Sequence, residues 1–167
     1  MALRKQQVQL GAVACAMVVC WPAWSKPPAI ETRCDTVECF SGTKVISYAT
    51  KGDPYFACPT AELSDYLAVV GGFMAMSYTL SGRFPNISPK TGEPEYEGKT
   101  AEIIKQYRIA AGVRTFDQAA ALCRDGKHGQ KLIVANNPKD GYSAWVAVDG
   151  KPTENFWVPK DHLNLRR

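Results

Sequence analysis

The sequence predicts an α+β fold: a disulfide-stapled helical body followed by a small C-terminal antiparallel β-meander. Three observations predict it. Four cysteines, Cys34, Cys39, Cys58 and Cys123, remain once an N-terminal export signal is set aside. Apolar residues recur at helical spacing between Thr60 and Gly126. After Gly129 the pattern turns to short β-type runs punctuated by Asp149-Gly150 and Pro159. Composition agrees: of 167 residues, 46% are hydrophobic and 22% charged, which excludes disorder and fibres. The chain divides into a signal peptide over 1–25, a helical disulfide-bonded body over 26–129 and a meander over 130–167. The last two pack as one domain over 26–167.

The signal is read from Arg4 and Lys5, followed by an apolar run from Val8 to Trp21, with Pro22 and the small residues Ala23 and Ser25 after it. Cleavage is expected after Ser25. The apolar run is too short to cross a hydrocarbon layer of about 30 Å, which favours a removed signal over an anchor. Cys15, in Ala12-Val13-Ala14-Cys15, offers the alternative of a lipoprotein signal; membrane contact is expected only through lipidation there. Removing residues 1–25 takes away Arg4 and Lys5 and no acidic residue, so the formal charge falls from +4 to +2. No block of like charge remains, which argues against nucleic acid and against a polybasic membrane patch.

An even set of cysteines in an oxidising compartment reads as two disulfides, with three connectivities open. A helix over Thr32 to Phe40 sets Cys34 and Cys39 about 140° apart around its axis, and so predicts Cys39 with Cys58 and Cys34 with Cys123. A turn in its place lets Cys34 close on Cys39. A metal site or a catalytic thiol is the competing reading. It is disfavoured by the absence of any Cys-x-x-Cys pair and by the presence of only two histidines, His128 and His162.

Along the chain, Thr43 to Thr50 alternates as a short strand before Gly52-Asp53-Pro54. Thr60 caps the longest helix, which Leu63, Tyr66, Leu67, Val70, Phe73, Met74 and Leu80 carry to Gly82. It is apolar nearly all round from Tyr66 to Leu80, which predicts a core helix buried on several sides, with Gly71-Gly72 admitting close backbone approach. Residues 83–99, with three prolines and no periodicity, form a long loop whose Glu93, Glu95 and Glu97 are expected to be solvated. Thr100 caps a second helix ended by Gly112. Thr115-Phe116-Asp117-Gln118 is a capping box for a short third helix reaching Cys123 and ending at Gly126. Strands follow at Lys131–Ala135, Ala144–Val148 and, after the Asp149-Gly150 hairpin signal, Asn155–Val158. Pro152 confines the last of these to an edge.

No phosphate loop, zinc-protease helix, nucleophile elbow or dinucleotide fingerprint occurs. The expectation is a protein without catalytic residues, metal ligands or cofactor. Tyr142, Trp145, Phe156 and Trp157 gather four aromatics near the C-terminus. They form either a ligand surface for peptide or glycan, or the cover of a small sheet that needs one.

Two resemblances add to this. Cys34-Asp35-Thr36-Val37-Glu38-Cys39-Phe40 resembles the Cys-x4-Cys opening of the TrbM/KikA family of conjugal-transfer proteins. Cys58 with Leu63-Ser64-Asp65-Tyr66-Leu67, and Leu122-Cys123, are similar to that family's later motifs. The resemblance implies a bacterial periplasmic accessory of conjugative type IV secretion, acting through protein partners in the cell envelope, with the four cysteines structural. The stretch from Trp145 to Val148, the Asp149-Gly150 turn and Phe156-Trp157-Val158-Pro159-Lys160 with Leu163 resemble a bacterial SH3-type barrel, which implies a peptide- or cell-wall-binding surface on the aromatics. The alternatives are a cell-envelope binding module or hydrolase inhibitor, and a small secreted hydrolase.

Overall fold

The computed structural model describes residues 32–166. The signal segment 1–25, its cleavage after Ser25 and lipidation at Cys15 lie outside these residues. The fold is α+β. Its strands and helices run β1 (Lys44–Ser47), β2 (Phe56–Ala57), α1 (Ala61–Ser81), α2 (Gly98–Ala110), α3 (Phe116–Leu122), β3 (Arg124–Asp125), β4 (Lys131–Asn136), β5 (Ser143–Val148), β6 (Lys151–Pro159) and β7 (Leu163–Leu165).

The predicted C-terminal meander is present as β4-β5-β6, but the sheet has five strands rather than three, in the order β6-β5-β4-β1-β7, all antiparallel. Strand β1 enters between β4 and β7, and β7 follows a single 3-10 turn at Lys160–His162. The period of two puts Leu132, Val134, Ala144, Val146, Phe156 and Val158 on one face, where all six are buried with Val45 and Leu163. Pro152 lies in the edge strand β6, as expected. The register shifts beside it: Ala147 pairs with Asn155 and Val148 with Lys151. The β2–β3 ladder joins the free side of β6 through two backbone hydrogen bonds between Cys58 and Trp157. Gly126 follows β3 rather than ending a helix, and it must be glycine: a Cβ there would sit 2.4 Å from the ring of buried Tyr55.

Helix α1 starts where its signals place it. The Thr60 hydroxyl accepts the Leu63 N–H, Glu62 lies in the positive first turn, and Gly82 (φ 70°) closes the helix by donating to the Tyr78 carbonyl. Its burial differs from expectation. Leu63, Ser64, Tyr66, Leu67, Val69 and Val70 are buried, but none of the helix beyond Gly71 is, and Met76, Tyr78 and Leu80 are exposed. No neighbour approaches Gly71 or Gly72 within 4 Å of where a Cβ would stand, so the pair makes no close helix contact. The reason is length: α2 and α3 cover only the first half of a helix of 21 residues.

Thr100 does not cap α2. The helix begins at Gly98 behind Glu97, which makes no side-chain cap bond. The Thr115 hydroxyl caps α3 as predicted, accepting the Gln118 N–H at 3.1 Å, while the Gln118 side-chain Oε1 accepts the N–H of Arg114, one residue before the cap, at 2.9 Å. The 83–99 segment is more ordered than a plain loop. Ser88 N–H donates to the Glu93 carbonyl and Glu95 N–H to that of Asn86, making a small hairpin around the Ile87–Pro94 bridge.

That hairpin turns Glu93 inward, against the expectation of a solvated carboxylate; Glu95 and Glu97 are exposed. Glu93 Oε1 accepts from the Tyr66 hydroxyl at 2.8 Å, and Oε2 pairs with Arg108 at 2.9 Å. A buried carboxylate needs this company, since an unpaired one costs several kcal/mol. Burial, then the Glu93 charge, hold the Tyr66 hydroxyl protonated well above the ordinary value near 10. A raised folded-state pKa means the stabilisation is whole below about pH 10 and is lost as pH rises beyond it. Tyr66→Phe is expected to cost about 2 kcal/mol at neutral pH, as for a hydrogen bond to a charged group, and to flatten the alkaline fall in stability. Denaturation midpoints from pH 7 to 11 check both.

The disulfides are Cys34–Cys39 and Cys58–Cys123, with Cα atoms 5.4 and 4.4 Å apart. The pairing predicted from a Thr32–Phe40 helix is therefore wrong. The Thr36 and Val37 N–H groups donate to the Arg33 carbonyl in a single turn, after which the chain straightens and brings Cys39 back to Cys34. Cys58–Cys123 ties the approach to α1 to the end of α3. Two intact disulfides fit an oxidising, extracytoplasmic location. Among the described residues no helix is long and apolar enough to cross a membrane.

Candidate functional site

The Cys34–Cys39 loop stands off the middle of α1, and the 136–142 loop closes the space between them. The result is an open groove of about 990 Å³, a size that seats a drug-sized ligand or a short polypeptide segment. On the helix side, Val69, Phe73 and Met76 supply an apolar floor; Phe40 and Tyr142 flank it with exposed rings. The stripe continues past the groove, since Gly72, Met76 and Leu80 follow at intervals of four along α1.

Polar contacts fix the walls. Asn137 Nδ2 donates to the Cys39 carbonyl at 3.0 Å, joining the two loops. Ser143 Oγ donates to Ser64 Oγ at 2.7 Å, joining β5 to α1. Lys160 is nine-tenths buried and its ammonium donates to the Pro138 carbonyl. Burial lowers the Lys160 pKa, opposed by the charges of Asp65 and Asp140. Burial raises that of Asp65, opposed by the Ser143 hydroxyl, Lys160 and the N–H groups of Tyr142 and Ser143. The polar groups thus hold the loops together and are not aimed at a common reacting point.

Cys34, Cys39, Cys58 and Cys123 are all in disulfides, which leaves no thiol among them for nucleophilic chemistry. Both histidines lie at the β1–β7 end of the molecule. His162 Nδ1 is 2.8 Å from the Tyr48 carbonyl, and His128 Nδ1 accepts the Ala49 N–H. Neither reaches a serine or threonine hydroxyl as a base would.

The four C-terminal aromatics do not share one surface. Phe156 points into the sheet core, with the Arg124 guanidinium 5.2 Å from its ring centre near the opposite edge. Trp145 and Trp157 oppose each other across β5–β6 on the other face, half-buried, ring centres 5.4 Å apart. Tyr142 alone is well exposed, at the groove and 5.9 Å from Tyr107. Sequence reasoning missed the groove residues Glu38, Phe40, Asn137 and Lys160. The one local signal was Phe40, a large apolar residue beside a disulfide turn.

Compared with models of known families, with curated proteins and with solved structures, the chain matches none.

Proposed function

We propose that the protein is a non-enzymatic accessory of the bacterial cell envelope that works by holding another protein in its groove, in the setting of conjugative type IV secretion. The observation that carries this is the second half of α1. Met76 and Leu80, one turn apart on one face, are exposed on a stretch with no charged residue between Asp65 and Arg83, and this face runs on from an apolar groove floor. Contiguous exposed apolar surface of this kind marks an interaction site. The two disulfides and the resemblance over 34–40, 58–67 and 122–123 support the compartment and the setting.

Deleting the gene and measuring plasmid transfer is the test. Transfer is expected to fall and to be restored by the wild-type gene but not by Met76→Glu. That substitution leaves folding nearly unchanged because Met76 is half exposed. A photo-crosslinking residue at position 76 is expected to trap one partner that the same residue at exposed Leu122 does not. Unchanged transfer rejects the conjugation role; absence of a position-specific adduct rejects the groove.

A second reading, a peptide- or glycan-binding module of SH3 type, draws support from the five strands of the sheet and from exposed Tyr142. Binding of peptidoglycan fragments that is lost in Tyr142→Ala, with plasmid transfer intact, would favour it.

A further inference from the structure

We infer that the sheet face turned away from the hydrophobic core binds an acidic polysaccharide, its sugar rings on Trp145 and Trp157 and its carboxylates on Lys44, Lys131 and Arg166. Directly opposed residues of neighbouring strands share a face. The pairs Lys44–Ile133, Ile46–Lys131, Ile133–Ala147 and Trp145–Trp157 therefore lie on one surface, the reverse of the one that carries Val45, Leu132, Val146 and Val158 into the core. Ile46, Ile133, Trp145 and Trp157 are half-buried and belong to neither hydrophobic cluster. Helix α1 closes one end of the face, where Ser143, the β5 residue before Trp145 on this side, is bonded to Ser64. Neither the three cations nor these four apolar residues line the groove, so the inference goes beyond the function proposed above.

Charge at the other end selects an anion. Arg166, whose N–H donates to the Lys44 carbonyl, pairs with Asp149 at 2.8 Å. Lys44 and Lys131 are exposed and enter no ion pair among the described residues. Three cations thus surround one carboxylate: the Arg166 hydrogen bond holds the Asp149 pKa below its ordinary value, and the charges of Lys44 and Lys131 add to that. Other acids nearby are engaged, Glu154 with Arg124 and Lys151 at 3.6 and 3.9 Å, and Asp35 with Arg33 at 2.9 Å. Excess positive charge of this kind complements an anionic ligand. The rings select a sugar. Trp145 and Trp157 lie side by side, centres 5.4 Å apart and planes 47° apart, and the negative face of an indole attracts the positively polarised C–H face of a pyranose. From Trp145 to Asp149 the face runs about 13 Å, so rings and cations engage different units of an extended chain. A nucleic-acid strand calls for cations along the aromatic platform itself, where Ala147 and Asn155 stand instead.

Four probes test this on the full chain with both disulfides formed. Oligogalacturonate supplies rings and carboxylates, its methyl ester rings alone, polyglutamate carboxylates alone, and oligothymidylate the phosphates and bases of a single strand. By calorimetry in low salt, oligogalacturonate is expected to bind about tenfold more tightly than the ester or polyglutamate. Its advantage over the ester should close at about 1 M salt, where charges are screened beyond ~3 Å. Combining Lys44→Glu with Lys131→Glu changes two exposed residues, which leaves folding nearly unchanged, and is expected to remove the preference for the acid. The indole N–H resonances of Trp145 and Trp157 should shift as oligogalacturonate binds the unaltered protein.

Failure of oligogalacturonate to bind overturns the inference, as does an ester or polyglutamate that binds as tightly. Tighter binding of oligothymidylate assigns the face to nucleic acid and overturns it too. So does binding that leaves both indole resonances unmoved, or a preference for the acid that survives the double lysine replacement. Met76→Glu is expected to alter none of these affinities, so the groove and this face stand or fall separately.

Discussion

Replacing Cys58 and Cys123 together by alanine is expected to lower the unfolding free energy by about 4 kcal/mol, read as a shift in urea midpoint at constant slope. The bridge spans a sequence separation of 65 residues, so breaking it releases a long loop of the denatured chain. It also removes the tie between the approach to α1 and the end of α3. The same exchange at Cys34 and Cys39, separated by 5 residues, is expected to cost about 2 kcal/mol in the same chain-entropy account. The ratio is the sharper test. Equal losses at the two bridges would mean that native-state strain or residual structure, rather than loop closure, sets their contribution. The two cysteines should be replaced as a pair, because a lone thiol introduces its own chemistry.

Arg108→Met is expected to destabilise the fold by about 3 kcal/mol at neutral pH, the cost of leaving a buried carboxylate with one partner removed. In the folded chain Glu93 has two partners, the Arg108 guanidinium and the Tyr66 hydroxyl. The methionine keeps most of the packing of the arginine stem, so the loss reports charge. Adding Glu93→Gln should recover part of that loss, because the neutral amide no longer requires a cation. A double-mutant cycle on thermal or urea unfolding measures the coupling. Simple additivity would mean that the pair contributes little and that the 83–99 hairpin is held by its backbone bonds.

These two features differ in how far they could be read beforehand. Local signals were legible because they act over a few residues: Thr60 and Glu62 at the start of α1, Thr115 and Gln118 at α3, and the alternation of Ala144, Val146 and Val148 in β5. Pairings between remote segments were not. Lys44–Ser47 joins the sheet because Lys131–Ile133 and Leu163–Leu165 lie on either side of it, and nothing within its own residues says so. The disulfide partners turned on whether residues 33–37 make one turn or continue as helix, a difference of a few hydrogen bonds. Glu93 looked like its solvated neighbours because its partners, Tyr66 and Arg108, come from two other helices. The second half of α1 was misjudged for a different reason. Apolar composition reports a surface that avoids water and does not say whether the chain itself supplies the cover.

The order of the bridges along the chain has a consequence for maturation. Among the four cysteines of the described residues the first joins the second and the third joins the fourth, so an oxidase that met these thiols in chain order would make the native bonds without error. Cys34 finds Cys39 within a handful of residues, and among the described cysteines Cys58 then has no unused neighbour until Cys123. Of the three possible connectivities this is the one that needs no isomerase to reshuffle it.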